Sequence, residues 1–453
     1  MSTIVSTSPQ RPAEIVVATA AADRAAVEAT VARARAAGRD WEDAGPAVRS
    51  AALTAAVAEF EQDAGHLTDL IVREVGKPRQ EAAAEVARAV AILRYYAQQA
   101  YDPAGENYPT AGGLAFTTRR ARGVAGLVTP WNFPLAIPVW KLAPALAAGN
   151  GVVIKPAPEA TAVAQRIATL FDRVLPAGLL AVTPGGAETG SALLDTVDVV
   201  SFTGSTTVGR IISVAAAQRG IPVQAEMGGL SATIVLPDAD LDRAAQDVAR
   251  AAMGYAGQKC TATKRIFVVG DPGPFTDRLV AAVTGLRVDD PAESPDLGPV
   301  ITEGAREQVF TAAAQAEAAG GRLLTKPHTE ATDGWYLNPV LLDGLSPDAP
   351  LFHEEVFGPI TALAGVASAD EAFARANGTQ FGLVTSVYTA DLGAALTAVR
   401  RSESGMVKVN LPTNGVDFHL PFGGEKHSGY GEKEQGKAAV RFYTRERTVQ
   451  VQA

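Results

Sequence analysis

Apolar residues recur at helical spacing through the first quarter of the chain. Val27 and Val31 lie one turn apart, as do Leu53, Val57 and Phe60 further on. The segment from residue 20 to 101 is rich in alanine, which favours helix and allows helices to pack closely. Pro78, after Gly76-Lys77, marks a break, and a further helix is predicted from Glu81 to Tyr101. The pattern changes after Pro103. Phe116 to Arg122 alternates loosely and reads as a strand. The short apolar runs Val124 to Val128 and Val152 to Ile154 bracket a helix-like segment ending at Gly149. A helix over Ala162 to Val174, a strand over Val199 to Phe202 and a helix from Thr206 follow. Strands alternating with helices imply a mostly parallel sheet covered on both faces. In such folds the ligand crevice lies at the carboxyl ends of the strands.

A second alternation begins near Ala232. It runs through a strand to Leu236, a helix from Asp242 to Tyr255 and a strand from Arg265 to Val269. Gly358 to Val366 and Val384 to Tyr388 continue it, and a loop-rich stretch follows Val409. The fold class is therefore α/β, with two α/β domains and a cleft between them. Phe442 to Val451 reads as an exposed strand, and an isolated edge strand usually needs a partner, which predicts an oligomer. The length of 453 residues suits such a division, since domains run to roughly 100–200 residues.

Composition narrows the function. Hydrophobic residues make up 47% and charged residues 20%, as in soluble globular proteins. A net charge of -9 argues against a nucleic-acid partner, which would call for a basic face. The one basic cluster, Arg119-Arg120-Ala121-Arg122, reads as a solvated or subunit-facing strand. No apolar run approaches the roughly 20 residues that span a bilayer, so no membrane partner is expected. Met1 to Pro12 is polar and unlike a signal peptide. A single cysteine cannot form an internal disulfide, so the cytoplasm is the expected location. His353-Glu354-Glu355 lacks the second histidine of a metalloprotease helix, and no catalytic metal is expected.

Four short segments could carry chemistry. Cys260 sits in Gly257-Gln258-Lys259-Cys260-Thr261-Ala262-Thr263, among small and polar residues just before a strand. A free cysteine is often a small buried hydrophobe, but a thiol whose thiolate is stabilised can attack a carbonyl. Lys259 is adjacent, yet neighbouring side chains can point apart. Glu226 lies between alanine and methionine before Gly228-Gly229; most glutamates are surface residues, but an apolar setting raises a carboxyl pKa towards that of a useful base. Asn132, in Thr129-Pro130-Trp131-Asn132-Phe133-Pro134, is either a turn residue or a neutral donor to an oxyanion. Phe202-Thr203-Gly204-Ser205 opens a helix, whose N-terminal amides suit a phosphate, although an N-capped helix needs no ligand.

Taken in order, Trp-Asn-Phe-Pro, Lys-Pro, Phe-Thr-Gly-Ser, Glu-Met-Gly-Gly, Gly-Gln-Lys-Cys, Glu-Glu-Val-Phe-Gly-Pro and Pro-Phe-Gly-Gly resemble the aldehyde dehydrogenase superfamily. The resemblance runs from about Val16 to Val451. It implies that Cys260 is the nucleophile, Glu226 the general base and Asn132 the side-chain half of the oxyanion hole, with the Cys260 backbone N–H as the other half. It further implies that Lys155 and Glu355 hold ribose hydroxyls of a nicotinamide cofactor, NAD or NADP. Gly204 and Ser205 match the pyrophosphate turn, and Phe357 and Trp131 the nicotinamide region. Residues 1–102 with 123–228 would then form a Rossmann-like cofactor-binding domain and 229–430 the catalytic domain. Residues 103–122 and 431–453 would form a small β extension for a homodimer or homotetramer. The glutamate favours hydrolysis of a thioester over transfer to CoA.

Some positions depart from the family's common pattern. Pro158 stands where many relatives carry a glutamate that binds the adenosine ribose and repels a 2′-phosphate, with Glu159 one place on, so NADP stays open beside NAD. Pro184-Gly185-Gly186, Leu230 and Lys433 also differ, and none removes a catalytic group. Trp131 to Lys141, Gly257 to Thr263 and Glu434-Gln435-Gly436 are most similar to α-ketoglutaric (2,5-dioxopentanoate) semialdehyde dehydrogenases. That implies a small aldehyde substrate with a carboxylate tail. The loop over the tunnel, Leu411 to Leu420, contains Asp417 and His419 but no arginine to clamp a carboxylate, so aromatic or aliphatic aldehydes stay open. A cysteine esterase and a catalytically silent structural protein are the alternatives from other classes; the first needs no cofactor motifs and the second no intact catalytic trio.

Overall fold

The computed structural model describes residues 2–102, 105–328 and 333–452. Pro103, where the sequence pattern changes, and the ends Met1 and Ala453 lie outside them. The first element is a hairpin the sequence pattern did not predict, Thr3–Ser8 paired antiparallel with Arg11–Ala20. Its Gln10 amide donates to Val72 O at 3.0 Å, which moors the hairpin to the helices that follow. These are Arg24–Asp43, Gly45–Gln62, Ala64–Val75 and Arg79–Gln99. Asp23 caps the first by accepting from Ala26 N at 2.8 Å, and Gly76 in the left-handed conformation ends the third. The fourth starts and stops two residues before the predicted limits, at Arg79 and Gln99.

Two large sheets follow, and the chain is α/β. The first runs in spatial order 429–430, 223–226, 199–203, 124–129, 151–156, 180–182, all parallel except the short Gly429–Tyr430 strand. The second runs 322–323, 340–343, 360–366, 265–269, 232–235, 384–388, 406–409, parallel except at 322–323. The helix Ala136–Ala147 between strands 124–129 and 151–156 is buried along its whole length. It packs into the core built by the N-terminal helices, which explains its almost unbroken apolar sequence.

The C-terminal prediction is corrected in detail. Phe442 ends a short helix, Gly436–Phe442, and the strand is Thr444–Val451, paired in register with Leu114–Ala121. Its other side is an open edge of a three-stranded sheet. The basic cluster on the neighbouring strand is engaged within the chain. Arg119 faces Glu446 at 3.4 Å, Arg120 faces Glu42 at 3.5 Å, and Arg122 donates to Phe442 O at 2.6 Å. Among the described residues no helix is long and apolar enough to cross a membrane.

Candidate active site

A cavity of about 230 Å³ lies where the two large sheets meet. Trp131, Asn132, Gly204 and Ser205 line it from beyond the carboxyl ends of strands in the first sheet. Cys260, Glu355 and Phe357 line it from segments that precede strands of the second, Arg265–Val269 and Ile360–Val366. The carboxyl-end rule thus describes one wall; the other is the amino edge of the second sheet. Glu226 and Lys155 stand just outside this lining. Glu226 is the last residue of its strand, in register with Thr203, and Lys155 is in register with Val128.

The nucleophile candidate sits on an unusual turn. Helix Leu241–Met253 gives way to Tyr255, Ala256 and Gly257, all left-handed (φ 53°, 51° and 65°). Left-handed non-glycine residues cost about 1–3 kcal/mol each and persist only where the surroundings hold them. Here the Tyr255 hydroxyl donates to Val75 O at 2.9 Å. The buried Gln258 amide donates to Tyr255 O and Pro299 O and accepts from Ile301 N at 2.8 Å. Lys259 turns away to Glu81 at 2.7 Å, so it does not activate the thiol. Cys260 touches the cavity yet is deeply enclosed. Burial, then the charges of Glu226 and Glu355, pushes its pKa up to about 12. By itself this site holds the thiol form.

Asn132 donates through Nδ2 to Gln258 O at 3.0 Å, which leaves the second amide N–H for the cavity, and its Oδ1 has no partner. Its backbone is pinned from below by a residue the sequence reading passed over. The fully buried Lys77 donates to Asn132 O at 2.8 Å and forms an ion pair with the equally buried Glu85. Glu85 in turn accepts from Leu135 N and Ala136 N, both at 2.9 Å, and Lys77 stands 3.9 Å from the centre of the Phe133 ring. The Gly76-Lys77-Pro78 break was the available signal.

Behind Glu226 lies a second network that sequence reading missed. Lys141 and Glu434 form a buried ion pair; Lys141 also donates to Ser201 Oγ at 2.8 Å and Trp140 Nε1 donates to Glu434 at 2.6 Å. A lysine inside the apolar run Ala136–Ala147 was the clue, because a buried ammonium must find a partner. Glu226 accepts from Gly424 N at 3.3 Å. Burial and the neighbouring Glu434 hold its carboxyl well above the usual range, against the opposing pull of Lys141, the Gly424 N–H and Lys433. A carboxyl so placed is a stronger base than an exposed one.

The remaining side of the cavity presents a helix N-terminus, an unpartnered hydroxyl and a carboxylate. Ser205 caps helix Thr206–Arg219, so the helix N-terminus opens towards the cavity, and Thr203 Oγ1 on its wall is buried without a partner. Glu355 accepts from Gly229 N at 3.2 Å, and a Cβ on Gly228 would stand 2.1 Å from its other oxygen, so only glycine allows this approach. Burial pushes Glu355 up to about 7. Trp131 and Phe357 meet edge to face at 5.7 Å. Lys155 donates to Pro156 O at 2.9 Å and feels the charge of Glu159.

The loop Leu411 to Leu420 brings Val416 against the same apolar cluster on which Cys260 packs, and Phe418 against Tyr95 at 5.8 Å. It lacks an arginine of its own, but two cations reach it from elsewhere. Arg88 donates to Val416 O at 2.5 Å and to Gln435 at 3.3 Å, and Lys408 donates to Gly415 O at 3.1 Å. Burial lowers both, Lys408 to about 8, against the supporting charge of Asp417.

The aldehyde dehydrogenase family matches residues 2–449. The α-ketoglutarate semialdehyde dehydrogenase of Haloferax volcanii is 39% identical over 98% of this chain and 94% of its own. The α-ketoglutaric semialdehyde dehydrogenase of Bacillus subtilis is 38% identical over 93% and 89%. The crystal structure of PnpE in complex with nicotinamide adenine dinucleotide superimposes with a TM-score of 0.96, at 33% identity, covering 99% of this chain and 94% of that one. Matched from end to end by the family and by such relatives, this chain belongs to the aldehyde dehydrogenase family.

Proposed function

We propose that the enzyme oxidises a small aldehyde carrying a carboxylate, of the 2,5-dioxopentanoate (α-ketoglutaric semialdehyde) type, to the diacid. That it is an NAD(P)-dependent aldehyde dehydrogenase follows from its family. The observation that carries the catalytic reading is that Cys260 and Asn132 line one cavity opposite Gly204, Ser205, Glu355 and Phe357, with Glu226 just outside the lining and its charge felt by Cys260. The substrate class rests on two cations, Arg88 and Lys408, at the loop beside Cys260, together with the relatives named above.

In this reading the Cys260 thiol releases its proton to solvent water as Sγ bonds to the aldehyde carbon, and the free amide N–H of Asn132 receives the oxyanion. Gln258 O, by accepting the other amide N–H, fixes the direction in which that donor points. The nicotinamide, when bound, supplies the hydride acceptor that turns the thiohemiacetal into a thioester. Gly204, Ser205, Lys155, Glu355, Trp131 and Phe357 would hold it. Glu226 then removes a proton from the water that attacks the thioester, and the thiol leaves with a proton. Desolvation and Glu434 raise the basicity of Glu226, so the residue is matched to that task.

The same reading assigns residues 1–102 and 123–228 to cofactor binding, 229–430 to catalysis, and 103–122 with 431–453 to oligomer contacts in a cytoplasmic homodimer or homotetramer. The open edge of Thr444–Val451 supports the last point, and sedimentation velocity tests it. The activity is tested by following reduced nicotinamide with an aldehyde panel, both NAD⁺ and NADP⁺, and Cys260→Ala as control. Cys260-dependent turnover with semialdehydes preferred over neutral aldehydes is expected. A preference for aromatic or aliphatic aldehydes would overturn the substrate class, and failure to bind either dinucleotide would overturn the activity.

A further inference from the structure

Lys264 is a buried cation that none of these steps uses. Its backbone is laced into the second sheet, donating to Ser231 O at 3.0 Å and accepting from Ala362 N at 3.0 Å, so the root of its side chain is fixed. Its ammonium donates to Gly257 O at 3.1 Å and to Gly358 O at 2.6 Å. The first carbonyl belongs to the left-handed turn that leads to Cys260; the second closes the segment that carries Glu355 and Phe357. These segments press directly together, since a Cβ on Gly257 would stand 2.3 Å from Gly358 O. Lys264 gives a donor to the carbonyl of each segment, and a buried carbonyl left without a donor is costly.

We propose that Lys264 is a positioning residue which locks the Cys260 turn to the Glu355–Phe357 loop, and so sets the separation between the nucleophile and the nicotinamide end of the bound dinucleotide. The inference rests on the dehydrogenase reading of the cavity. It assigns no contact of Lys264 with substrate or reacting atoms, because the ammonium is directed at the two carbonyls. Glu355 is the carboxylate that faces it. Burial lowers Lys264 to about 8 in spite of that charge, so an ammonium is expensive here and an apolar side chain would fill the space at less cost. What an apolar side chain cannot supply is the two-pronged donation.

The test compares wild type with Lys264→Met and, in case that variant does not fold, Lys264→Gln, whose amide keeps donors on a shorter arm. Three quantities are read on folded protein. NAD⁺ and NADP⁺ affinity is measured by tryptophan fluorescence quenching, Cys260-dependent hydrolysis of 4-nitrophenyl acetate without dinucleotide, and the deuterium isotope effect on aldehyde oxidation. Ester hydrolysis is expected to stay within about twofold. Dinucleotide affinity should weaken about tenfold or more, the worth of one charge-assisted hydrogen bond, and the isotope effect should rise as hydride transfer becomes limiting. The glutamine variant should fall between. Unchanged dinucleotide affinity and isotope effect in either folded variant overturn the proposal, as does a loss of ester hydrolysis as large as the loss of oxidation. A wild type that binds neither dinucleotide overturns instead the reading on which the proposal stands.

Discussion

Replacing Glu226 with glutamine keeps the shape of the side chain but removes a charge and a proton acceptor, and two observables should then move in opposite directions. A positioned general base is worth about 10²–10⁴-fold, so steady-state turnover should fall by that factor. Thiol addition and hydride loss do not need the base, so reduced nicotinamide should still appear in a burst equal to the enzyme concentration. The thiol, in contrast, should become more reactive. Glu226 is the largest charge that raises Cys260 after burial itself, and every unit by which the pKa descends from about 12 gives about ten times more thiolate. The sign depends on pH. Glu226 opposes the thiolate only where it is ionised, and burial with Glu434 moves that range upwards. The gain in iodoacetamide alkylation rate should therefore be clear at alkaline pH and disappear as the pH falls and Glu226 takes up its proton. Rapid-mixing absorbance gives the burst, and mass spectrometry of the Cys260 peptide gives the alkylation rate. Full turnover in the variant, a burst lost together with turnover, or a slower thiol at alkaline pH would each refute the assignment of Glu226 as the base facing Cys260.

Three further outcomes follow from the same geometry. Asn132→Ala removes the one side-chain oxyanion donor assigned here and should lower kcat by about 10²–10³-fold, with a smaller effect on dinucleotide affinity; an unchanged kcat would move the oxyanion elsewhere. Glu85→Gln strands the buried Lys77 without its counter-charge, a change that costs about 3–5 kcal/mol, so thermal unfolding should begin at clearly lower temperature; an unchanged transition would mean that Lys77 is neutral in the fold. Arg88→Met should raise KM for 2,5-dioxopentanoate by about 10- to 100-fold while leaving a neutral aldehyde of similar length much less affected, and equal losses on both substrates would reduce Arg88 to a support for the loop.

The residues legible in the sequence were those whose chemistry is out of place locally. A lone cysteine among glycine, lysine and threonine, a glutamate between alanine and methionine, and an asparagine after an apolar strand all came together at one cavity or its edge. The alternation of strands and helices was legible for the same reason, because burial on both faces imposes its own period. What stayed hidden were partners far apart in the chain. Lys141 meets Glu434 across 293 positions, Arg88 meets Val416 across 328, and neither spacing has a local pattern. The N-terminal hairpin escaped because Arg11–Ala20 is only half-buried and so carries no apolar alternation strong enough to read. The turn before Cys260 escaped too, since nothing in Gly254-Tyr255-Ala256-Gly257 announces left-handed backbone at a tyrosine and an alanine.

The hidden residues also explain why the legible ones can work. A buried ion pair is a poor source of stability, since replacing both partners with well-packed apolar residues is often neutral or favourable. Lys77–Glu85 and Lys141–Glu434 therefore call for another reason. The first pair holds the backbone on which Asn132 stands, through Lys77 to Asn132 O and Glu85 to the next two helix amides. The second acts on Glu226 from both directions: Glu434 raises its pKa and Lys141 lowers it. In the proposed mechanism Glu434 therefore strengthens the base and Lys141 moderates it. On the proposed assignment, orientation of the donor and strength of the base are thus set one layer below the residues that would touch substrate, by charges whose burial would otherwise be a cost with no return.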